Sequence, residues 1–474
     1  MDISASTEAS FLAAQFKAMR SAFRAEPYPS YELRLDRLKR LEAALDRHAD
    51  ALVVAMSEDF GFRSAVESEN FDIIVALGEI RSIMRQFKRW TYDRKVSVPK
   101  HLLPASAKIV PQPLGVIGII SPWNFPINLS LMPMAAALAA GNRVMLKPSE
   151  TTPKTSQILK DILSEVFAAD EVTVVLGDAQ VASEFSSLPF DHLLFTGSTK
   201  VGQRVYEAAA KNLTPVTLEL GGKSPAIVAP SADIQRAARR IAWGKLANAG
   251  QICIAPDYAL VEKSKLPEFI AALKDQARQF YGNSSDGHDF SSIISDSQFE
   301  RLTVLMDEAK SSSAEVVELP VTISPAKLRQ FQPHVVVNPP EHIGLMQEEI
   351  FGPILPIVTY ERIEEAIDHV KRGDHPLALY VFAEDKAEQD IWLRQTLAGG
   401  VCINDTLMHV ACDSLPFGGV GKSGIGSYHG QAGFDRFSHL KPVFSQAKLN
   451  GAFLFEPPFT GWKKTALKLL RRFI

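Results

Sequence analysis

The chain has 474 residues, 46% of them hydrophobic and 22% charged, with 51 basic and 54 acidic side chains for a formal charge of −3. That length supports two or three domains with cores of their own, and the composition excludes a disordered or fibrous protein. The near balance of charge gives no general attraction to nucleic acid, and three cysteines without a CxxC pair argue against a disulfide framework and fit a reducing compartment. The first residues include Asp2 and Glu8 and no uninterrupted apolar segment, and no run of about 18 apolar residues occurs anywhere, so a cytoplasmic location is expected.

In chain order, residues 8–88 carry a helical pattern, with one long charged and apolar alternation from Tyr31 to about Val54 and another over 71–87. Around residues 90–113 the text changes to short extended pieces, 96–98 and 108–110, separated by Pro99 and Pro104, which reads as a hairpin-like arm. From Gly115 short apolar runs at 116–120, 143–146, 172–176, 192–195 and 216–218 alternate with helical segments. Strands alternating with helices give right-handed crossovers and a parallel, doubly wound sheet, whose ligands bind beyond the carboxyl ends of its strands. A second alternating region follows Gly221-Gly222, with strands expected at 258–261, 335–337, 354–358, 379–382 and 401–403. No internal repeat with a period of 20 to 50 residues is visible.

The run from Asp233 to Asn248 has the spacing of an amphipathic helix, which Ala249-Gly250 breaks. Cys253 therefore falls on irregular backbone just past a helix end, where loop N–H groups can support a thiolate. The surrounding Gly250-Gln251-Ile252-Cys253-Ile254-Ala255-Pro256-Asp257 resembles the catalytic-cysteine signature of the aldehyde dehydrogenase superfamily. The longer stretch from Trp243 is similar to its class 3 and bacterial coniferyl aldehyde dehydrogenase members. Further stretches resemble the superfamily in the expected order: Pro122-Trp123-Asn124-Phe125-Pro126, Lys147-Pro148-Ser149-Glu150, Leu218-Glu219-Leu220-Gly221-Gly222-Lys223-Ser224-Pro225, and Glu348-Glu349-Ile350-Phe351-Gly352-Pro353. Leu415 to Gly424, reading LPFGGVGKSG, follows near the end.

The resemblance covers roughly residues 10–445 and implies an α/β chain with three parts. These are a doubly wound Rossmann-like NAD-binding domain (1–89 and 114–220), an α/β catalytic domain (221–404), and a small β oligomerisation arm (90–113 and 405–450). Residues 451–474 remain as a tail. It also implies oxidation of an aldehyde by NAD, with a thiolate adding to the carbonyl, hydride leaving to the cofactor, and water hydrolysing the thioester. Cys253 is then the nucleophile, and Asn124 with the Cys253 backbone N–H the oxyanion donors. As an alternative, Asn124 caps the helix that starts near Ile127. Glu219, between Leu218 and Leu220 at a strand end, has the apolar neighbours that bring a carboxylate into the range of a base for water. Glu348 and Glu349 compete from another loop, and the resemblance assigns Glu349 to the nicotinamide-side ribose with Phe351 nearby.

Cofactor contact is expected at Gly197, Ser198 and Gly202, between a strand and a helix whose N–H groups can face the pyrophosphate. The resemblance gives Lys147 and Glu150 to the adenosine ribose; as an alternative, Lys147 is an ordinary strand-end charge. An acidic group at the ribose favours NAD, while Lys147 could balance the extra phosphate of NADP, so both remain open. The one GxGxxG match, starting at Gly419, opens no βαβ unit and is read as a decoy. Two Gly-Lys-Ser triplets lack the Walker A glycine, since Thr217 and Pro416 stand in its place. Cys402, His409 and Cys412 match no common zinc spacing, so no metal is expected; His409 is a candidate lining of the substrate funnel.

The arm after residue 90 and a late strand over 437–446 have little core of their own, which implies a symmetric homodimer or a tetramer of dimers. In the tail, Trp462, Ala466, Leu469, Leu470 and Phe473 share one helical face, with Lys463, Lys464, Lys468, Arg471 and Arg472 over much of the rest. That face either docks on the protein or its partner subunit, the favoured reading, or makes a peripheral membrane contact.

Overall fold

The computed structural model describes residues 3–283, 287–324 and 326–471; Asp2, Arg472 and Phe473 lie outside the described residues. Its first part is helical: Ile3–Ala25, Tyr31–Phe60 and Val75–Trp90. The second helix starts where Ser30 accepts the Leu33 N–H at 3.1 Å, and it buries Leu38, Leu41, Leu45, Leu52 and Met56, the spacing of one helical face.

Sixteen strands form three sheets among the described residues. In chain order they are β1 Arg94–Val96, β2 Ser106–Pro113, β3 Val116–Ile120, β4 Arg143–Lys147, β5 Val172–Val174, β6 His192–Thr196, β7 Val216–Glu219 and β8 Pro225–Val228. They continue as β9 Tyr258–Glu262, β10 Glu315–Glu318, β11 His334–Val337, β12 Ile354–Tyr360, β13 Ala378–Phe382, β14 Gly400–Ile403, β15 Gly424–Ile425 and β16 Ser438–Ser445.

The first large sheet has the order β15-β7-β6-β3-β4-β5, with β3 to β7 parallel and β15 antiparallel at the edge. The chain runs outward through β4 and β5, then returns to the other side of β3 for β6 and β7, which is the doubly wound topology expected from the sequence. Both faces are covered, as a parallel sheet requires. Ile117, Ile119, Val144 and Leu146 pack toward helices Tyr31–Phe60 and Asn128–Ala140. Alternate residues Val116, Ile120, Met145 and Leu193 pack with Leu12, Phe16 and Phe185. The second sheet, β10-β11-β12-β9-β8-β13-β14, is parallel except for β10. One of its faces shares the first core, so the hydrophobic interior is continuous between the two sheets.

The arm forms a third, antiparallel sheet, β1-β2-β16, pairing Arg94 with Ile109 and Ser438 with Pro113. The extended pieces expected at 96–98 and 108–110 are shifted: the first strand ends at Val96 and the second runs from Ser106. The expected strand at 172–176 ends at Val174. Strands β8, β10 and β15 were not anticipated. The expected helix over 233–248 ends as an α-helix at Leu246, and the next residues turn left-handed.

Candidate active site

Asp233 caps the helix Ile234–Leu246 through its carboxylate, which accepts the Arg236 N–H at 3.0 Å. Beyond the helix, Asn248, Ala249 and Gly250 have φ of 47°, 52° and 74°. Only glycine fits at 250, where a Cβ would stand 2.4 Å from the Gly352 carbonyl oxygen. Gln251 fixes the exit from this turn: its Nε2 donates to the carbonyls of Asn248 and Ser292, each at 3.0 Å, and its Oε1 accepts the Ile294 N–H at 2.9 Å. Cys253 follows, with its own N–H and that of Ile254 directed at the sulfur. Burial, then Glu349 and Glu219, push its thiol up to about 12, so the resting sulfur is protonated.

Asn124 is buried in the loop after β3, and its Nδ2 donates to the Gln251 carbonyl at 3.2 Å. It does not cap the helix Asn128–Ala140. Asp72 does so instead, accepting the N–H groups of Ile127 and Asn128 at 3.0 Å each. Trp123, beside Asn124, packs edge-on against Phe351 with centroids 5.3 Å apart.

Glu219 ends β7, buried, with neither carboxylate oxygen hydrogen-bonded. Desolvation raises its pKa well above the usual carboxylate range, and Arg436 offsets this only in part. Glu349 is raised to about 8 by burial and by Asp257, against the Gly222 N–H, Lys223 and Arg301. Glu348 is mostly exposed and faces Arg301 at 4.0 Å. The carboxyl end of β7 thus meets the loops that lead into β9 and β12.

Two residues here were given no role in the sequence. Tyr428 is buried within the electrostatic reach of both Glu219 and Cys253. Its signal was the Ser427-Tyr428-His429-Gly430 motif after the glycine-rich run. Lys245 is buried, and desolvation lowers its pKa to about 8, with Asp257, Lys223 and Glu349 nearby. The signal there was a lysine on the apolar face of an amphipathic helix.

Residues that could hold a nucleotide lie beyond the strand ends. Lys147 closes β4, buried, with its Nζ 2.9 Å from Glu150 Oε2 and 3.0 Å from the Pro148 carbonyl. Ser198 caps the twelve-residue helix Thr199–Ala210, and Gly197 and Gly202 flank that helix start. The buried Thr196 hydroxyl, at the end of β6, has no partner. A cleft of about 610 Å³ is lined by Thr199, Gly221, Gly222, Lys223, Glu349 and Ser423, among others. This donor set fits a dinucleotide: a helix N-terminus for pyrophosphate, and carboxylates at both ends for ribose hydroxyls.

The two phosphate-loop decoys have structural roles. Lys223 is paired with Asp257 and donates to the carbonyls of Leu345 and Glu348 at 2.7 and 3.0 Å. The glycine-rich turn from 418 opens no helix; it supplies β15, which pairs Gly424 with Glu219 and takes the Leu220 N–H on the Ser423 carbonyl at 3.1 Å. Cys402 pairs with Tyr380 across β14 and β13, while Cys412 is exposed.

A family model described as aldehyde dehydrogenase family matches residues 1–443. The chain belongs to the aldehyde dehydrogenase family. It is 47% identical over 448 residues to a probable coniferyl aldehyde dehydrogenase of Pseudomonas aeruginosa, covering 94% of each chain. The structure of a Staphylococcus aureus AldH in a substrate-bound state superposes with a TM-score of 0.91 at 37% identity, over 96% of this chain and 98% of that one. An NAD+ complex of a Bacillus cereus aldehyde dehydrogenase gives 0.83 at 27% identity, over 93% and 89%. This aldehyde dehydrogenase is accordingly an NAD(P)-dependent oxidoreductase, as the sequence motifs implied.

Proposed function

We propose that this aldehyde dehydrogenase oxidises coniferyl aldehyde, or another aromatic aldehyde, to the carboxylic acid through a thioester on Cys253. The observation that carries the reading is the convergence of Glu219 and Glu349, from separate segments, on Cys253, whose thiol both carboxylates push up. The aromatic substrate class is supported by the Pseudomonas aeruginosa relative. It is also supported by rings near the sulfur: Tyr380, whose hydroxyl donates to the Ile254 carbonyl, and Tyr428, packed edge-on with His429.

In this reading the Cys253 thiol gives its proton to ionised Glu219 as sulfur bonds to the carbonyl carbon, and Glu219 passes that proton to solvent before hydrolysis. The oxygen becomes anionic and is held by the Cys253 N–H and by the N–H of Asn124 that the Gln251 bond leaves available. A bound nicotinamide nucleotide supplies the acceptor for the C–H electron pair. The carbonyl re-forms as a thioester. Glu219 then takes a proton from water as the hydroxyl adds, the C–S bond breaks, and the sulfur leaves with its electron pair.

For the cofactor, Ser198, Gly197 and Gly202 would face pyrophosphate, Lys147 and Glu150 the adenosine ribose, and Glu349 and Phe351 the nicotinamide side. Glu150 favours NAD, and the Lys147 ammonium beside it leaves NADP use open. The residue ranges 1–89 with 114–220, 221–404, and 90–113 with 405–450 serve as the nucleotide, catalytic and oligomerisation parts of a cytoplasmic homodimer. Among the described residues no helix is long and apolar enough to cross a membrane.

The tail forms a helix, Gly461–Leu470, that packs on the turn Ala452–Phe455 through Phe453 and Trp462 and buries none of its residues. Trp462 and Leu469 stay more than half exposed. That face suits docking on the protein or its partner subunit, the favoured reading, and also a peripheral contact with an anionic membrane. That exposed face favours a second substrate reading, a medium- or long-chain aliphatic aldehyde delivered from a lipid surface. A kcat/KM panel of coniferyl aldehyde, benzaldehyde and hexanal with NAD separates the readings; hexanal preferred over both aromatics overturns the first.

A further inference from the structure

A short element between the long N-terminal helices, Ala65–Ser68 continuing into the π-helical turn Glu69–Ile74, carries Glu67 and Asp72, which leave it in different directions. Glu67 reaches the loop before the nucleophile. Both its oxygens accept the Asn248 N–H at 3.1 Å, Oε2 accepts from the Ser291 hydroxyl at 2.7 Å, and Oε1 accepts from the Tyr281 hydroxyl at 3.3 Å. Asp72 reaches the loop of Asn124, where it caps the following helix. Its other oxygen meets Arg63 at 2.9 Å, with both side chains out of solvent. The Arg63 guanidinium also lies over Phe125, the neighbour of Asn124, 5.2 Å from the ring centroid.

The turn that Glu67 holds is one that its residues disfavour. Asn248 and Ala249 both carry a Cβ and both stand at positive φ, five and four residues before Cys253. Such a conformation persists only where the surroundings impose it. Here the backbone N–H of Asn248 is held by Glu67, and its side chain donates to the carbonyls of Asn124 and Gln251 at 3.3 Å each. The carbonyl of Gln251 is also the acceptor for the Asn124 amide. A chain of contacts therefore runs from Glu67 through Asn248 and Gln251 to the two proposed oxyanion donors.

We infer that Glu67 is a positioning residue for aldehyde oxidation. Its carboxylate imposes the left-handed turn at 248–250 and so sets the distance between the Cys253 amide and the Asn124 amide, while Asp72 on the same element fixes the opposite loop. Glu67 does not bond to Cys253; it acts through the Asn248 backbone. The inference rests on the proposed roles of Cys253 and Asn124. A glutamine at 67 keeps one acceptor oxygen and turns an NH2 toward three donors, so the turn loses a partner it needs.

The test uses the full-length enzyme and the Glu67→Gln and Glu67→Asp variants. The expected result for Glu67→Gln is a single-turnover rate of cofactor reduction lower by about tenfold to hundredfold and a slower alkylation of Cys253 by iodoacetamide. The KM for NAD should stay within about twofold, because no cofactor contact is touched. Glu67→Asp should recover part of the rate. Unchanged single-turnover and alkylation rates in Glu67→Gln overturn the inference, even if its melting temperature falls. Should Glu67→Gln fail to fold, Ser291→Ala removes the shortest bond to the same carboxylate; a lowered single-turnover rate supports the inference and a wild-type rate overturns it. Cys253→Ala separates the two layers: turnover retained there defeats the nucleophile assignment and this inference together. An inactive Cys253→Ala beside a fully active Glu67→Gln defeats this inference alone.

Discussion

Glu349 rests directly on Gly221: a Cβ at position 221 would stand 2.0 Å from the Glu349 Oε2 atom. The contact joins the segment just past β7 to the loop that leads into β12, so one missing side chain lets a carboxylate from the second sheet reach the nucleotide cleft. Gly221→Ala should drive Glu349 out of that position. The expected outcome is a rise of about tenfold in the KM for NAD, with a smaller change in kcat, measured by steady-state kinetics. An unchanged KM removes Glu349 from the nicotinamide side.

Burial raises Glu219 well above the usual carboxylate range. Thioester hydrolysis needs an ionised base, and kcat should therefore climb as pH rises through that raised pKa. In Glu219→Gln, hydrolysis should slow and a burst of reduced cofactor should appear ahead of the steady state. A pH profile identical to wild type, with no burst, contradicts the base assignment.

Stability gives an independent check on the same group. A carboxyl whose pKa is raised on folding binds its proton more tightly in the folded state, so stability is lost as pH climbs above the unfolded value of 4.5 toward the folded one. Glu219→Gln removes that penalty. Its melting temperature should match wild type near pH 4.5 and exceed it increasingly as pH rises toward the folded pKa. Equal melting temperatures across the range place Glu219 in a better solvated setting than its two unpartnered oxygens indicate.

Glu150 is largely exposed while its partner Lys147 is buried, an arrangement that leaves the carboxylate free to meet a ribose and keeps the cation behind it. Glu150→Gln should raise kcat/KM with NADP relative to NAD, since a repulsion toward the 2′-phosphate is lost and the lysine is not. A ratio that does not move argues against ribose contact.

The legible parts of this molecule in the sequence were those written in local chemistry. The apolar runs of β3, β4 and β6 announced a parallel sheet because strands buried on both faces have little choice of residue. Cys253 stood out because Gly250 broke a helical period just before it. What escaped was set by distant partners. The left-handed conformation of Asn248 and Ala249 depends on Glu67, about 180 residues earlier, and Asp72 rather than Asn124 caps the helix Asn128–Ala140. The glycines from 418 read as a decoy in the sequence because they open no βαβ unit, and their pairing with β7 gives them a structural purpose. Thr217 excludes Lys223 from a Walker motif in the sequence, and Asp257 pairs with its charge.

The central claim is that a covalent bond to Cys253 is obligatory for aldehyde oxidation. It is tested most directly by mixing the Cys253→Ala enzyme with NAD and an aldehyde that the wild type oxidises, and following the absorbance of the reduced cofactor. The account predicts no reduced cofactor above the uncatalysed rate, with NAD binding the same as in wild type. A substantial fraction of wild-type turnover in that variant contradicts it.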